Sequence, residues 1–62
     1  MHREVDMQYR VGVQFECGSW SEAFREAADY IDNEYVFVES VTPGYDSTAP
    51  AGNKYTLLLI GA

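Results

Sequence analysis

From Val5 to Cys17 the chain alternates without a break. The odd positions Val5, Met7, Tyr9, Val11, Val13, Phe15 and Cys17 are apolar, and the even positions Asp6, Gln8, Arg10, Gly12, Gln14 and Glu16 are polar or glycine. Successive side chains on a strand point to opposite faces, so this period of two predicts a long β-strand with one apolar and one wet face. After Cys17-Gly18 the period changes. Trp20, Ala23, Phe24, Ala27, Ala28 and Ile31 recur at steps of three and four, the spacing of an apolar stripe on a helix. Ser21, Glu22, Arg25, Glu26, Asp29 and Asp32 fall mostly on the opposite side. Ser19-Trp20-Ser21-Glu22 reads as a capping box, in which the Ser19 hydroxyl accepts from the backbone N–H three residues on and Glu22 reaches back. Asn33 offers a C-terminal stop, which predicts a helix over 20–32.

The second half of the chain is less periodic. Tyr35 to Val41 is rich in β-branched and aromatic residues and predicts a second strand. Thr42-Pro43-Gly44 has the Pro and Gly of a type II turn, and Tyr45 to Asn53 reads as a loop of Asp, Ser, Thr, Ala, Pro and Gly. Lys54 to Gly61 is the last strand, and its apolar run Leu57-Leu58-Leu59-Ile60 suggests burial on both faces. Met1 to Glu4 is a polar lead-in expected to be disordered.

The order β-α-β-β predicts an α+β fold of half-ferredoxin-like topology. A crossover joins the first two strands and the third returns antiparallel to the second. The apolar run then places the third strand at the centre of a mixed sheet of order 1-3-2, with the helix on one face. One helix covers one face, so the far side of the second and third strands is expected to be bare. An apolar patch of that kind marks an interface, and Tyr35, Phe37, Leu58 and Ile60 are the residues expected to carry self-association.

Size and charge sharpen this expectation. The 62 residues make one small domain with a single cysteine, which excludes an intrachain disulfide. Domains of this size are marginal alone, and association with itself or another chain is the remaining stabiliser. Ten acidic against four basic residues give a net charge of -6, a field that disfavours nucleic acid and anionic membranes and suits a basic partner protein. No apolar run approaches the ~20 residues of a membrane span. A free thiol suits a reducing cytoplasm.

Candidate chemistry is sparse. Cys17 precedes a helix N-terminus but has no histidine placed to act as its base, and it completes the apolar set of the first strand; it reads as a small buried hydrophobe. Cys17-Gly18-Ser19 is far short of a phosphate loop. No cluster has metal-ligand spacing, and neither a cofactor nor catalytic residues are expected. What remains is surface. Glu22, Glu26, Asp29 and Asp32 line the wet side of the helix, and Tyr45 and Asp46 pair a ring with a charge in the loop. These six are the candidate partner-binding residues of a non-enzymatic interaction module. An inhibitor or adaptor whose acidic helix face imitates a row of phosphates is one form of it.

A second form comes from a resemblance. The stretch Ser19-Trp20-Ser21-Glu22-Ala23, together with the β-α-β-β order, resembles the start of the helix in dodecins. That resemblance implies a homo-oligomer holding an aromatic small molecule such as flavin between aromatic residues at subunit interfaces. Trp20, Tyr35 and Phe37 would be the rings available here, and the second strand carries no tryptophan.

Overall fold

The computed structural model describes residues 10–62. Its elements are β1 (Val11–Cys17), α1 (Trp20–Glu34), β2 (Val38–Tyr45), a short 3-10 turn (Ala51–Asn53) and β3 (Tyr55–Gly61). β3 lies between the other two strands, and the sheet order is β1-β3-β2 with α1 packed against the sheet. The fold is therefore α+β with the expected strand order. Both ladders are antiparallel. β1 and β2 run the same way but are not neighbours in the sheet, so the sheet expected to be mixed contains no parallel ladder. The part of the first strand expected over Val5 to Tyr9, and the Met1 to Glu4 lead-in, lie outside the described residues.

The core sits under the helix. Cys17, Ala23, Ala27 and Leu57 are buried together, with Phe15 and Val41 packed against them, and Leu59 is buried beside them. The registers Phe15↔Leu57↔Pro43 and Val13↔Leu59↔Val41 put these side chains on the helix side of all three strands. Two small alanines let α1 approach β1 and β3 closely. Phe15 and Tyr30 close that side with an edge-on ring contact at 6.1 Å.

The helix starts where the capping box puts it. Ser19 Oγ accepts from Glu22 N at 3.2 Å, and Glu22 Oε1 accepts from Gly18 N at 2.9 Å. The end differs from expectation. Asn33 does not stop the helix; it runs to Glu34, and Tyr35 turns left-handed at φ 55°, ψ 49°. The Tyr35 and Val36 amides both close on the Ile31 carbonyl, a helix end usually made with glycine.

The later stop displaces everything after it. Tyr35, Val36 and Phe37 are used up in leaving the helix, so β2 begins at Val38 rather than Tyr35. Thr42-Pro43-Gly44 is not a turn but the interior of β2. Phe37 and Ala62 exchange two backbone hydrogen bonds, 2.7 and 3.0 Å, which tie the start of this segment to the end of the chain. A side chain at Gly61 would run into the Phe37 carbonyl and come within 2.8 Å of Val36 Cγ1, so only hydrogen fits there.

Candidate interaction surfaces

Register decides what each strand exposes. On the face away from α1 lie Gly12, Gln14 and Glu16, then Thr56, Leu58 and Ile60, then Ser40, Thr42 and Gly44. Leu58 is exposed and Ile60 half-buried there, as expected for the central strand. Because β2 starts three residues late, its share of that face is polar. Tyr35 and Phe37, expected to join Leu58 and Ile60 from the second strand, instead precede it and are strongly exposed beside the helix end. With Ile31, Asp32 and Val36 they line an open hollow of about 450 Å³.

Most of the uncovered apolar surface is on the helix side. α1 rests on β3 and β1 and leaves β2 largely unroofed. Trp20, Phe24, Tyr35, Phe37, Val38 and Tyr45 are all exposed, and among the described residues Leu58 is the one other large apolar residue that is. Trp20 anchors the cleft between α1 and β2. Its Nε1 donates to the Gly44 carbonyl at 2.9 Å, and its ring meets Tyr55 edge-on at 5.1 Å. Tyr45 packs on the other edge of Tyr55 at 5.2 Å. The three rings form one cluster that sequence reasoning missed, since it treated Tyr45 as a loop residue and assigned Tyr55 no role. The signal was present in the third strand, where Tyr55, Leu57 and Leu59 share a parity.

The predicted acidic residues are divided by the helix. At about 100° per residue, Glu22, Glu26 and Asp29 fall within a narrow sector, whereas Asp32 is turned some 60° further round. Glu22 lies at the β1 end, where its carboxylate accepts from Gly18 N, Glu26 follows one turn on above Cys17, and Asp29 is exposed further along the helix. Burial pushes the Cys17 thiol pKa up, and the nearby carboxylates of Glu26 and Glu22 add to the shift. Asp32 lies in the hollow beside Tyr35 and Phe37. The last turn of α1 carries no basic residue, which leaves its carboxylates uncompensated at the negative end of the helix dipole.

Asp46 is committed within its own loop. Its Oδ1 accepts from Thr48 N at 3.0 Å and from Thr48 Oγ1 at 2.6 Å, and these bonds hold the carboxyl below the usual carboxylate range. Lys54 Nζ donates to the Ser47 and Ala49 carbonyls at 2.7 and 2.8 Å, so the loop is braced internally. Tyr45 and Asp46 are adjacent in sequence but serve different neighbours.

No protein family, curated protein or solved structure matches this chain. Among the described residues no group of acidic, histidine or cysteine side chains is placed to hold a metal ion. No helix among them is long and apolar enough to cross a membrane. The chemistry on the surface is thus of two kinds, a row of carboxylates along α1 and an aromatic flank along β2.

Proposed function

We propose that this protein is a small acidic interaction module, not an enzyme, which docks a basic partner through the carboxylate row of α1. The observation that carries this reading is the row itself. Glu22, Glu26 and Asp29 share one exposed flank of α1, with Asp32 beside it, and the only base on the helix is Arg25. Such a field steers a cationic surface into contact and repels nucleic acid. The uncovered rings along β2 add the aromatic side chains from which interface hot spots are commonly built. An inhibitor or adaptor acting on a basic, nucleic-acid-binding protein fits this pattern.

The test is charge reversal. Glu26→Lys, Asp29→Lys and Asp32→Lys combined should abolish retention of the protein on an immobilised basic partner while the circular dichroism spectrum is unchanged. Retention at the original strength overturns the reading.

A second reading is favoured by the Trp20–Tyr45–Tyr55 cluster and by the open hollow at Tyr35 and Phe37. Here several copies would hold a flat aromatic molecule such as flavin between exposed rings. Self-association through Tyr35, Phe37, Leu58 and Ile60 belongs to the same reading. Flavin fluorescence left unquenched by the protein, with a light-scattering mass of one chain, removes it.

A further inference from the structure

The hydrogen bonds of β3 fix which backbone groups face outward at each side of the sheet. Lys54 O and the two bonds of Ala62 point toward the β2 side, and alternation along β3 sends 56, 58 and 60 the same way. The odd residues 55, 57, 59 and 61 therefore bond to Cys17, Phe15, Val13 and Val11 of β1. It follows that the N–H and C=O groups of Gly12, Gln14 and Glu16 point away from the sheet. All three residues are exposed, and among the described residues no segment pairs with them.

The opposite edge is closed to such pairing. By the same alternation, residues 41, 43 and 45 of β2 face outward, and position 43 is proline, which has no N–H to offer. A bulge between Val38 and Ser40 further breaks that edge. Proline and bulges are the usual devices that blunt an exposed strand. β1 has neither over Val11 to Cys17.

The open edge is also the acidic one. Glu22, whose Oε1 accepts from Gly18 N at 2.9 Å just past the end of β1, and Glu26, one helical turn further along α1, flank it on the helix side, and Glu16 flanks it on the other face. A second copy of this chain would bring the same carboxylates against themselves. A strand of opposite charge would meet no such penalty.

We infer that the free edge of β1 receives an extended basic segment of a partner protein, which adds to the sheet as a fourth strand beside Gly12, Gln14 and Glu16. The inference rests on the acidic-module reading and specifies how the partner is held. Main-chain hydrogen bonds supply the affinity, and alternate Lys or Arg side chains of the incoming strand meet the α1 carboxylates above the sheet and Glu16 below it.

The experiment uses three capped heptapeptides at millimolar concentration with amide hydrogen exchange read by NMR. One alternates Lys with Val and Thr, one replaces each Lys by Glu, and one is the Lys peptide N-methylated at alternate backbone nitrogens. The Lys peptide should slow exchange of the Gly12, Gln14 and Glu16 amides, and the other two should not. Gln14→Pro, which removes an outward N–H and no bond to β3, should weaken Lys-peptide binding about tenfold, the scale of one lost hydrogen bond. Should that variant not fold, the N-methylated peptide makes the same test on the intact protein. Equal binding of the N-methylated peptide, with no slowing at the three amides, overturns edge pairing while leaving the acidic-module reading in place. Equal binding of the Glu peptide, or absence of any binding by the Lys peptide, overturns both. Slowed exchange at these amides that grows with protein concentration in the absence of peptide overturns the basic occupant in favour of a second copy.

Discussion

Along β1 the side chains that face α1 are covered and the backbone edge is open; along β2 the backbone edge is blunted and the side chains on the α1 side are largely open. Phe15 and Cys17 lie under α1, whereas the amides of Gly12, Gln14 and Glu16 face outward, with Glu16 on the strand and Glu22 at its end. Pro43 and the bulge blunt β2, yet Val38 and Tyr45 stand exposed beside Trp20 and Phe24. One helix over three strands cannot roof both sides, and its position over β1 and β3 decides which deficit falls where. The consequence is chemical. The β2 side offers apolar area, which is non-directional. The β1 side offers charge and oriented hydrogen-bonding groups, which select by direction and sign.

The largest effect tests whether β3 is the floor common to both sides. Leu57 is 0% exposed and its neighbour Leu58 is 38% exposed, on opposite faces of one strand. Leu57→Ala removes a buried side chain from beneath the helix and should cost about 2–5 kcal/mol. Leu58→Ala should cost under about 1 kcal/mol, because much of that side chain is already in water. Urea denaturation of the two variants measures the difference. Equal losses would mean that the face away from α1 is as well covered as the core, and the comparison of the two sides would then rest on the wrong face.

Next comes the cleft along β2. Trp20 is 44% exposed but touches both β2 and β3. Trp20→Ala should destabilise by about 1–3 kcal/mol, less than the full cost of a buried aromatic. Trp20→Phe keeps a smaller ring and loses the indole N–H, so it should cost less than Trp20→Ala, with about 0.5–1.5 kcal/mol of the loss coming from the bond to the Gly44 carbonyl. If both variants unfold at the wild-type midpoint, the aromatic cluster contributes nothing to the fold and the β2 side is bare surface alone.

How much of this was legible follows from which residues answer to local rules. The strand through Val11, Val13, Phe15 and Cys17 and the helix from Trp20 were readable because one period dominates each stretch and Ser19 with Glu22 marks the boundary. The second strand was misplaced for two reasons. Tyr35, Val36 and Phe37 have strand-like side chains, but the two amides closing on Ile31 claim them for the helix exit. Thr42-Pro43-Gly44 has the composition of a turn. On an edge strand, however, a proline whose missing N–H would face outward disturbs no ladder bond. That depends on which strand neighbours it, and no local pattern reveals it. The row Glu22, Glu26 and Asp29 was visible from helical spacing, whereas the place of Glu22 beside the open edge of β1 required the sheet order and the register together.

The smallest expected effect concerns the end of the helix, where the apolar side carries strain that the acidic side does not. Tyr35 is the one non-glycine residue with positive φ among the described residues, and it is 88% exposed, so its ring repays little of the cost through packing. A side chain in the left-handed region costs about 1–2 kcal/mol, and glycine there does not bear that cost. Tyr35→Gly should therefore raise stability by up to about 1 kcal/mol, after the greater chain entropy of glycine in the unfolded state is set against the relief. The gain would appear as a higher urea midpoint with an unchanged slope. It would also separate two roles that coincide at this residue. The backbone of Tyr35 ends the helix, and its ring, with Phe37 and Asp32, lines the hollow at the mouth of the cleft. A variant that is more stable yet weaker in partner binding would show that the ring serves contact rather than folding. A variant that is less stable would show that the ring is held by the fold after all, and the β2 side would then be better covered than its exposed side chains suggest.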